Sequence, residues 1–274
     1  MSVREHATRR PLLTFLLLAF GLTWVVWVPR AAAAQGFLDA QWLLSLGSVW
    51  TYGPLAAAAA AAAITAGRPG LRAWGARLVR WRVGWTWWLA ALLGPAAFWL
   101  AVAGALVLLG EPWTAVRPRA TATGPAAAVA LFGALALTDG LGEEAGWRGY
   151  ALPRLLDRWR PLAASLILGV IWALWHVPLL FTPGGALHGS PVLFHLLDLP
   201  ATAVVYTWLF RRTRGSVLPA VLLHAANSLW TASAVPGGSP TALAVALAGK
   251  WLVVLAIVVC ESSARRRTSP MWKI

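Results

Sequence analysis

Two adjacent glutamates lie in a strongly apolar part of the chain, in the segment that runs from Asp139 to Arg148. An unpaired carboxylate at membrane depth is costly, so Glu143 and Glu144 are candidate functional groups for which a partner should be sought. In a helix, Glu144 and Arg148 share one face, whereas Glu143 points about 100° away. We therefore expect Glu144 to pair with Arg148 and Glu143 to face a cavity. If the helix ended before them, both glutamates would instead be solvated loop residues.

Two histidines also lie inside apolar segments. Trp172 precedes His176 by one helical turn, and Asn227 and Ser228 follow His224 at spacings that place them on its face of a helix. A single polar residue in such a helix commonly makes a structural hydrogen bond between helices. Histidine and amide side chains can equally donate protons and stabilise an oxyanion.

Together, Glu143, His176 and His224 indicate a catalytic site more strongly than any one of them does alone. Carboxylate, imidazole and amide groups from separate helices could deprotonate water, donate a proton and stabilise an oxyanion during amide hydrolysis. The same three side chains could alternatively hold a zinc ion with a water in its open position. The residues do not decide between these two chemistries. His195 and Asp198 are spaced to pair on one helix face, and we expect a structural or supporting role for them.

The elements that must position these side chains are apolar helices. The chain is 59% hydrophobic and 12% charged with a mean hydropathy of +0.67, whereas soluble domains carry roughly 25% charged residues. The composition therefore predicts an all-α, polytopic transmembrane helix bundle that forms a single membrane domain, 1–274. A membrane-spanning helix needs about 20 mainly apolar residues. About eight spans are predicted: 11–29, 41–66, 86–109, 124–145, 162–181, 189–210, 216–232 and 241–260.

The net charge of +14 does not indicate a nucleic-acid partner, because most basic residues lie between the apolar segments. They concentrate in alternate loops, as the positive-inside rule requires for an even number of spans with both termini cytoplasmic. Removing the first apolar segment as a signal peptide would spoil this alternation, so we expect it to be retained. Two stretches rich in arginine and aromatic residues, 68–85 and 148–160, are expected to lie on lipid headgroups, with ordinary cytoplasmic loops as the alternative. The single cysteine, Cys260, has no partner for an internal disulfide.

The predicted site residues lie at different depths along their helices. At 1.5 Å per residue, His224 lies about 12 Å and His176 about 20 Å from the cytoplasmic start of its helix, while Glu143 falls near the end of its own span. Either the fourth helix continues to Pro153 and carries Glu143 inward, or the fifth helix is tilted or begins below the surface.

The order of these motifs resembles the CAAX-protease and bacteriocin-processing family of intramembrane proteases. The resemblance covers 124–232 and rests on the two glutamates with Arg148, on the aromatic Trp172 before His176, and on His224 followed by an amide. It implies a helical catalytic core and peptide-bond hydrolysis of a membrane-associated or prenylated-type substrate. By resemblance, Glu143 activates water with His176.

The resemblance assigns the remaining roles with two departures. His224 and Asn227 match the pair that stabilises the oxyanion, and Glu144, Arg148 and Trp172 match supporting positions. The family usually has Phe in place of Trp172, and it places Asn four residues after the histidine, where this chain has Ser228. The role could therefore pass to Asn227 or Ser228.

The same departures leave a second function open, a non-proteolytic membrane scaffold or bacteriocin-immunity protein. A small transporter that uses the charged residues as a proton relay is a third. The expected partners are membrane lipid and a peptide or membrane-protein substrate. The expected location is a bacterial plasma membrane, with the site open to the cytoplasmic side.

Overall fold

The computed structural model describes residues 3–40, 42–43, 51–116, 124–183, 187–234 and 239–268. These residues form helices joined by short connections, with no strand among them, which confirms the predicted all-α class. In chain order the helices are α1 (Val3–Arg9), α2 (Pro11–Ala34), α3 (Gly53–Leu78), α4 (Trp85–Leu108), α5 (Trp113–Val116), α6 (Pro125–Leu135), α7 (Leu141–Gly146), α8 (Leu152–Leu156), α9 (Pro161–Trp175), α10 (Val177–Leu180), α11 (Val192–Arg212), α12 (Leu218–Ala234) and α13 (Pro240–Thr268).

Five helical stretches within the described residues are long and apolar enough to cross a membrane. They are Pro11–Ala34, Trp85–Leu108, Pro125–Leu156, Val192–Arg212 and Pro240–Ser263. The chain is therefore an integral membrane protein with several spans. The total of eight spans and the cytoplasmic termini stay predictions. The expected second span, 41–66, begins partly outside the described residues, and α3 extends beyond its expected end to Leu78 across a kink at Gly67.

The fourth apolar segment forms one continuous helical run, 125–156. Two π-helical turns, Ala136–Gly140 and Trp147–Ala151, lie on either side of α7 and join it to α6 and α8. π-helical turns inside α-helices are frequent at functional sites. The first of the two depth alternatives is correct, because the helix continues past Pro153 and carries Glu143 into the bundle.

The expectation that 148–160 lies on lipid headgroups is wrong for its first half. Arg148, Tyr150 and Leu152 are fully buried, and Leu155 nearly so. A guanidinium can lie there because a buried carboxylate and two aromatic rings contact it, as described below. Only the end of the segment, from Asp157, is exposed.

Small residues let the glutamate-bearing helix approach its neighbour α3 closely. A Cβ atom added to Gly146 would lie 2.6 Å from the Pro54 carbonyl oxygen, and one added to Gly142 would lie 2.6 Å from that of Thr51. Backbone approaches of this kind are available only where the side chain is absent. The two glycines, four residues apart, thus fix the depth and rotation of α7.

An aromatic cluster supports the other side of the site. Trp147 packs edge-on against Trp175 with ring centroids 5.7 Å apart, and Phe15 lies 5.4 Å from Trp147. The indole N–H of Trp24 in α2 donates to the carbonyl of Trp175 at 2.9 Å. The end of α9, next to His176, is therefore held by both packing and a hydrogen bond.

Candidate active site

Glu143 contacts two groups from α9 and its end. The indole Nε1 of Trp172 donates to Glu143 Oε2 at 2.6 Å, and His176 Nε2 lies 3.7 Å from the same oxygen. The glutamate is 3% exposed and His176 is 8% exposed. The structure thus brings together the predicted carboxylate and imidazole in a nearly water-free setting.

His176 owes its orientation to the end of α9. The helix ends at Trp175, and Pro178, which has no N–H to continue the hydrogen-bond ladder, follows two residues after His176. His176 Nδ1 lies 2.9 Å from the carbonyl oxygen of Trp172. Because a carbonyl can only accept, Nδ1 carries the proton and donates it. The other nitrogen, Nε2, is thereby directed at Glu143.

Glu144 binds two cationic or potentially cationic groups through one oxygen. Arg148 donates to Glu144 Oε1 at 2.9 Å, which confirms the expected pairing along one helix face. His224 Nδ1 from α12 lies 2.8 Å from the same oxygen. Glu144 therefore does more than neutralise Arg148, because it also orients the second histidine of the site. Both glutamates are buried, so the alternative of solvated loop carboxylates is wrong.

Arg148 is held between two aromatic rings. Its guanidinium carbon lies 4.2 Å from the ring centroid of Trp172 and 4.2 Å from that of Tyr206 in α11. Cation–π contacts of a desolvated guanidinium contribute about 2 kcal/mol. Tyr206 is not among the site residues predicted from the sequence, although it is one of only three tyrosines in the chain. A phenol within an apolar span is the signal that could have identified it.

His195 is a further histidine at the edge of this cluster. It is 3% exposed, its ring centroid lies 5.7 Å from that of His176, and its Nε2 has no hydrogen-bond partner among the described residues. The pairing of His195 with Asp198 considered from spacing is not what the structure shows. Asp198 instead forms an ion pair with Lys250 of α13, with Nζ 2.7 Å from Oδ1 and 2.8 Å from Oδ2.

Asn227 and Ser228 occupy the half-buried part of α12 that follows His224. Within the described residues, no side-chain hydrogen bond joins either of them to the glutamates or histidines. Their predicted share in oxyanion binding is therefore still a prediction.

The predicted zinc ligands do not converge on one point. No group of three His, Cys, Asp or Glu side chains among the described residues is arranged to hold a metal ion. His224 Nδ1 is engaged by Glu144, while His176 faces Glu143. The set Glu143, His176 and His224 is thus divided between two separate contacts and does not fit a three-ligand zinc centre in this conformation.

Comparisons with known proteins match the part of the chain that contains this cluster. Residues 125–230 match the family model described as type II CAAX prenyl endopeptidase Rce1-like. A CAAX prenyl protease 2 of Methanococcus maripaludis is 32% identical over 88 residues, which cover 30% of this chain and 32% of that protein. The chain thus spans about a third of the length of this curated relative. The glutamates, the histidines, Arg148 and the two aromatic rings around it all fall inside the matched region, whereas Phe15 and Trp24 of the supporting aromatic cluster lie outside it.

Proposed function

We propose that the chain is an intramembrane endopeptidase, because it belongs to the CAAX-protease and bacteriocin-processing family through residues 125–230. The substrate would be a membrane-associated or prenylated-type peptide or protein. The observation that carries this proposal is the buried pair of Glu143 Oε2 and His176 Nε2, 3.7 Å apart. Both atoms are acceptors when the histidine is neutral, and the separation is too long for a direct hydrogen bond. A water molecule that donates to both atoms would resolve this mismatch.

The proposed reaction uses that water as the nucleophile. Glu143 accepts one proton while the water oxygen attacks the carbonyl carbon of the scissile peptide bond, giving a tetrahedral oxyanion. His224, held by Glu144 through Nδ1, donates from Nε2 in its protonated form, with Asn227 or Ser228 as the second donor. The proton held by Glu143 then passes to the leaving nitrogen. The C–N bond breaks, and the products are a carboxylic acid and an amine.

The surroundings of the pair suit this role. Trp172 donates to Glu143 and also covers Arg148, so one indole links the catalytic carboxylate to the supporting cation. Exclusion of bulk water strengthens electrostatic interactions with a developing oxyanion. The proposed catalytic core is 124–232, in a bacterial plasma membrane, with access from the arginine-rich side that the charge pattern assigns to the cytoplasm.

Loss of cleavage on removing the base is the decisive test. The purified full chain, reconstituted in vesicles, would be incubated with a library of membrane-anchored peptides, and products would be identified by mass spectrometry. Glu143→Gln and His176→Ala should each abolish cleavage, whereas Glu111→Gln, in the connection between α4 and α5, should cleave as the wild type does. Undiminished cleavage in both site variants would contradict the proposal.

A non-proteolytic scaffold or bacteriocin-immunity role is the second candidate. It is favoured by the lack of a hydrogen bond between the cluster and either Asn227 or Ser228 in the described residues. Such a role would need the fold but not the acid–base pair. If this role is correct, cells that carry Glu143→Gln should keep full protection or partner recruitment. If the protein acts by proteolysis instead, the same cells should lose that protection or recruitment.

A further inference from the structure

A groove on the arginine-rich side of the bundle lies apart from the glutamate–histidine cluster. It encloses about 300 Å³ between α9, α11 and α13, and no residue of the cluster lines it. Its walls include the apolar side chains of Val204, Ile257 and Val258, together with the indole of Trp208. This volume lies at the lower end of the range for small-molecule sites.

The mouth of the groove carries a net positive charge. Arg160 precedes α9 and Arg211 lies at the end of α11, and both line the groove. Glu261 of α13 also lines it and pairs with Arg211 at 3.3 Å and with Arg212. Two guanidiniums and one carboxylate line the groove, and Arg212, which pairs with that carboxylate from outside the lining, brings the local excess to two positive charges. All these residues lie at one end of the three helices, beside an aromatic side chain, as is typical of a membrane interface.

A buried threonine in the wall of the groove has a hydroxyl without a partner. Thr207 lines the groove, is 2% exposed, and its Oγ1 has no hydrogen-bond partner among the described residues. Other threonines donate to the carbonyl four residues earlier, as Thr182 and Thr213 do at 2.9 and 2.8 Å. A buried polar group left unpaired is destabilising, and an oxygen of a ligand in the groove would relieve this cost.

We propose that this groove binds an anionic phospholipid. The phosphate would contact Arg160 and Arg211, a glycerol or ester oxygen would accept from Thr207, and an acyl chain would lie against the apolar wall. Basic pockets between membrane helices on the cytoplasmic side bind anionic headgroups in this way. The bound lipid would contact α9, α11 and α13 together, between the Glu261 ion pairs at one end of α13 and the Lys250–Asp198 pair about 16 Å further along it.

Lipid retention by the purified full chain tests this site without reference to cleavage. Phosphatidylglycerol and phosphatidylcholine with identical acyl chains would be titrated into detergent-solubilised protein, and bound lipid counted by native mass spectrometry. Phosphatidylglycerol should bind more tightly than phosphatidylcholine. Arg160→Gln and Thr207→Val should each weaken its binding about fivefold, the effect expected for one lost interfacial contact. Thr207→Ser, which keeps the hydroxyl, should bind as the wild type does.

A charge-matched control distinguishes lipid binding in the groove from general electrostatic attraction between the lipid and the basic protein. Arg82 is an exposed arginine in the connection between α3 and α4, outside the groove, so Arg82→Gln should leave lipid binding unchanged. Equal weakening by Arg82→Gln, or wild-type binding by Thr207→Val, would overturn the proposal. A soluble acidic peptide should not displace the lipid, and displacement that depended on Thr207 would make the groove a peptide site instead.

Discussion

His224 Nδ1 lies 2.8 Å from Oε1 of Glu144, the same oxygen that accepts a hydrogen bond from Arg148. The two adjacent glutamates therefore serve different histidines, Glu143 facing His176 and Glu144 facing His224. Their directions differ by about 100° because they are consecutive on a helix. Since the two nitrogens of an imidazole lie on different edges of the ring, binding of Nδ1 by Glu144 leaves Nε2 as the atom that could meet a substrate.

Glu144→Gln should lower the cleavage rate by a factor on the order of 10² or more, because an uncharged amide no longer stabilises the protonated form of His224 that donates from Nε2. Turnover and melting temperature of the reconstituted protein would be measured on the same preparations. The rate loss should appear in kcat and exceed any change in KM. A variant that kept wild-type kcat would show that Glu144 serves Arg148 alone.

Arg148→Lys should destabilise the protein although it keeps the charge. An ammonium cannot stack between Trp172 and Tyr206 as the planar guanidinium does, so a cost of about 1–3 kcal/mol is expected. Tyr206→Phe keeps the ring and should cost less. The comparison is a thermal melt of both variants in one detergent. If Tyr206→Phe lowered the melting temperature as much as Arg148→Lys, the phenol hydroxyl and not the stacking would be the important group.

Trp172→Phe should separate two functions of one indole. Phenylalanine keeps an aromatic wall but cannot donate to Glu143, a charge-assisted hydrogen bond of 2.6 Å. We expect cleavage to fall about tenfold with little change in melting temperature, in line with a lost hydrogen bond to a charged group. Trp172→Ala also removes the wall beside Arg148 and should cost about 3–5 kcal/mol of stability. Equal melting temperatures for the two variants would contradict this division.

Much of this arrangement could be predicted from the sequence where it depends on local periodicity. The Glu144–Arg148 pair follows from a spacing of four residues, and the all-α class follows from long apolar segments. The depth of Glu143 could not be fixed in the same way. It depends on a helix that continues through two π-helical turns to Leu156, and the charges of Arg148 and Arg154 suggested a loop instead.

Contacts between distant helices could not be predicted from the sequence. Spacing alone pairs Asp198 with His195 on the same helix face. Its partner in the structure is Lys250, which lies 52 residues further along the chain. Tyr206 reaches Arg148 from α11, and the link between His224 and Glu144 spans 80 residues. Spacing along one helix shows which side chains share a face. Only the packing of the helices determines what that face meets.

Lys250→Met should destabilise the protein because it leaves Asp198 as a buried charge without its ion-pair partner and also removes the hydrogen bond from Lys250 to Thr202. Removing one member of a buried ion pair costs about 3–5 kcal/mol, whereas replacing both members costs far less. The double variant Asp198→Asn with Lys250→Met should therefore recover most of the lost melting temperature. If the double variant melted at the sum of the two single losses, the pair would not be energetically coupled.

Gly146→Ala should reduce both stability and cleavage through a single methyl group. The new Cβ would lie 2.5 Å from Pro54 Cβ and 2.6 Å from the Pro54 carbonyl oxygen, and backbone atoms cannot move aside as a flexible side chain can. Forcing α7 away from α3 should cost about 1–3 kcal/mol, as overpacking does elsewhere.

Because Gly146 is three residues from Glu143, the same shift would change the distance between Glu143 and His176. Gly133→Ala provides the matched control, since it lies in the same helical run and its Cβ would meet nothing within 4 Å. Alanine there should be neutral or stabilise the helix by up to about 1 kcal/mol. Melting temperature and cleavage of the two variants would be compared directly. Equal behaviour of both would show that the approach of Gly146 to Pro54 does not set the depth of the glutamates.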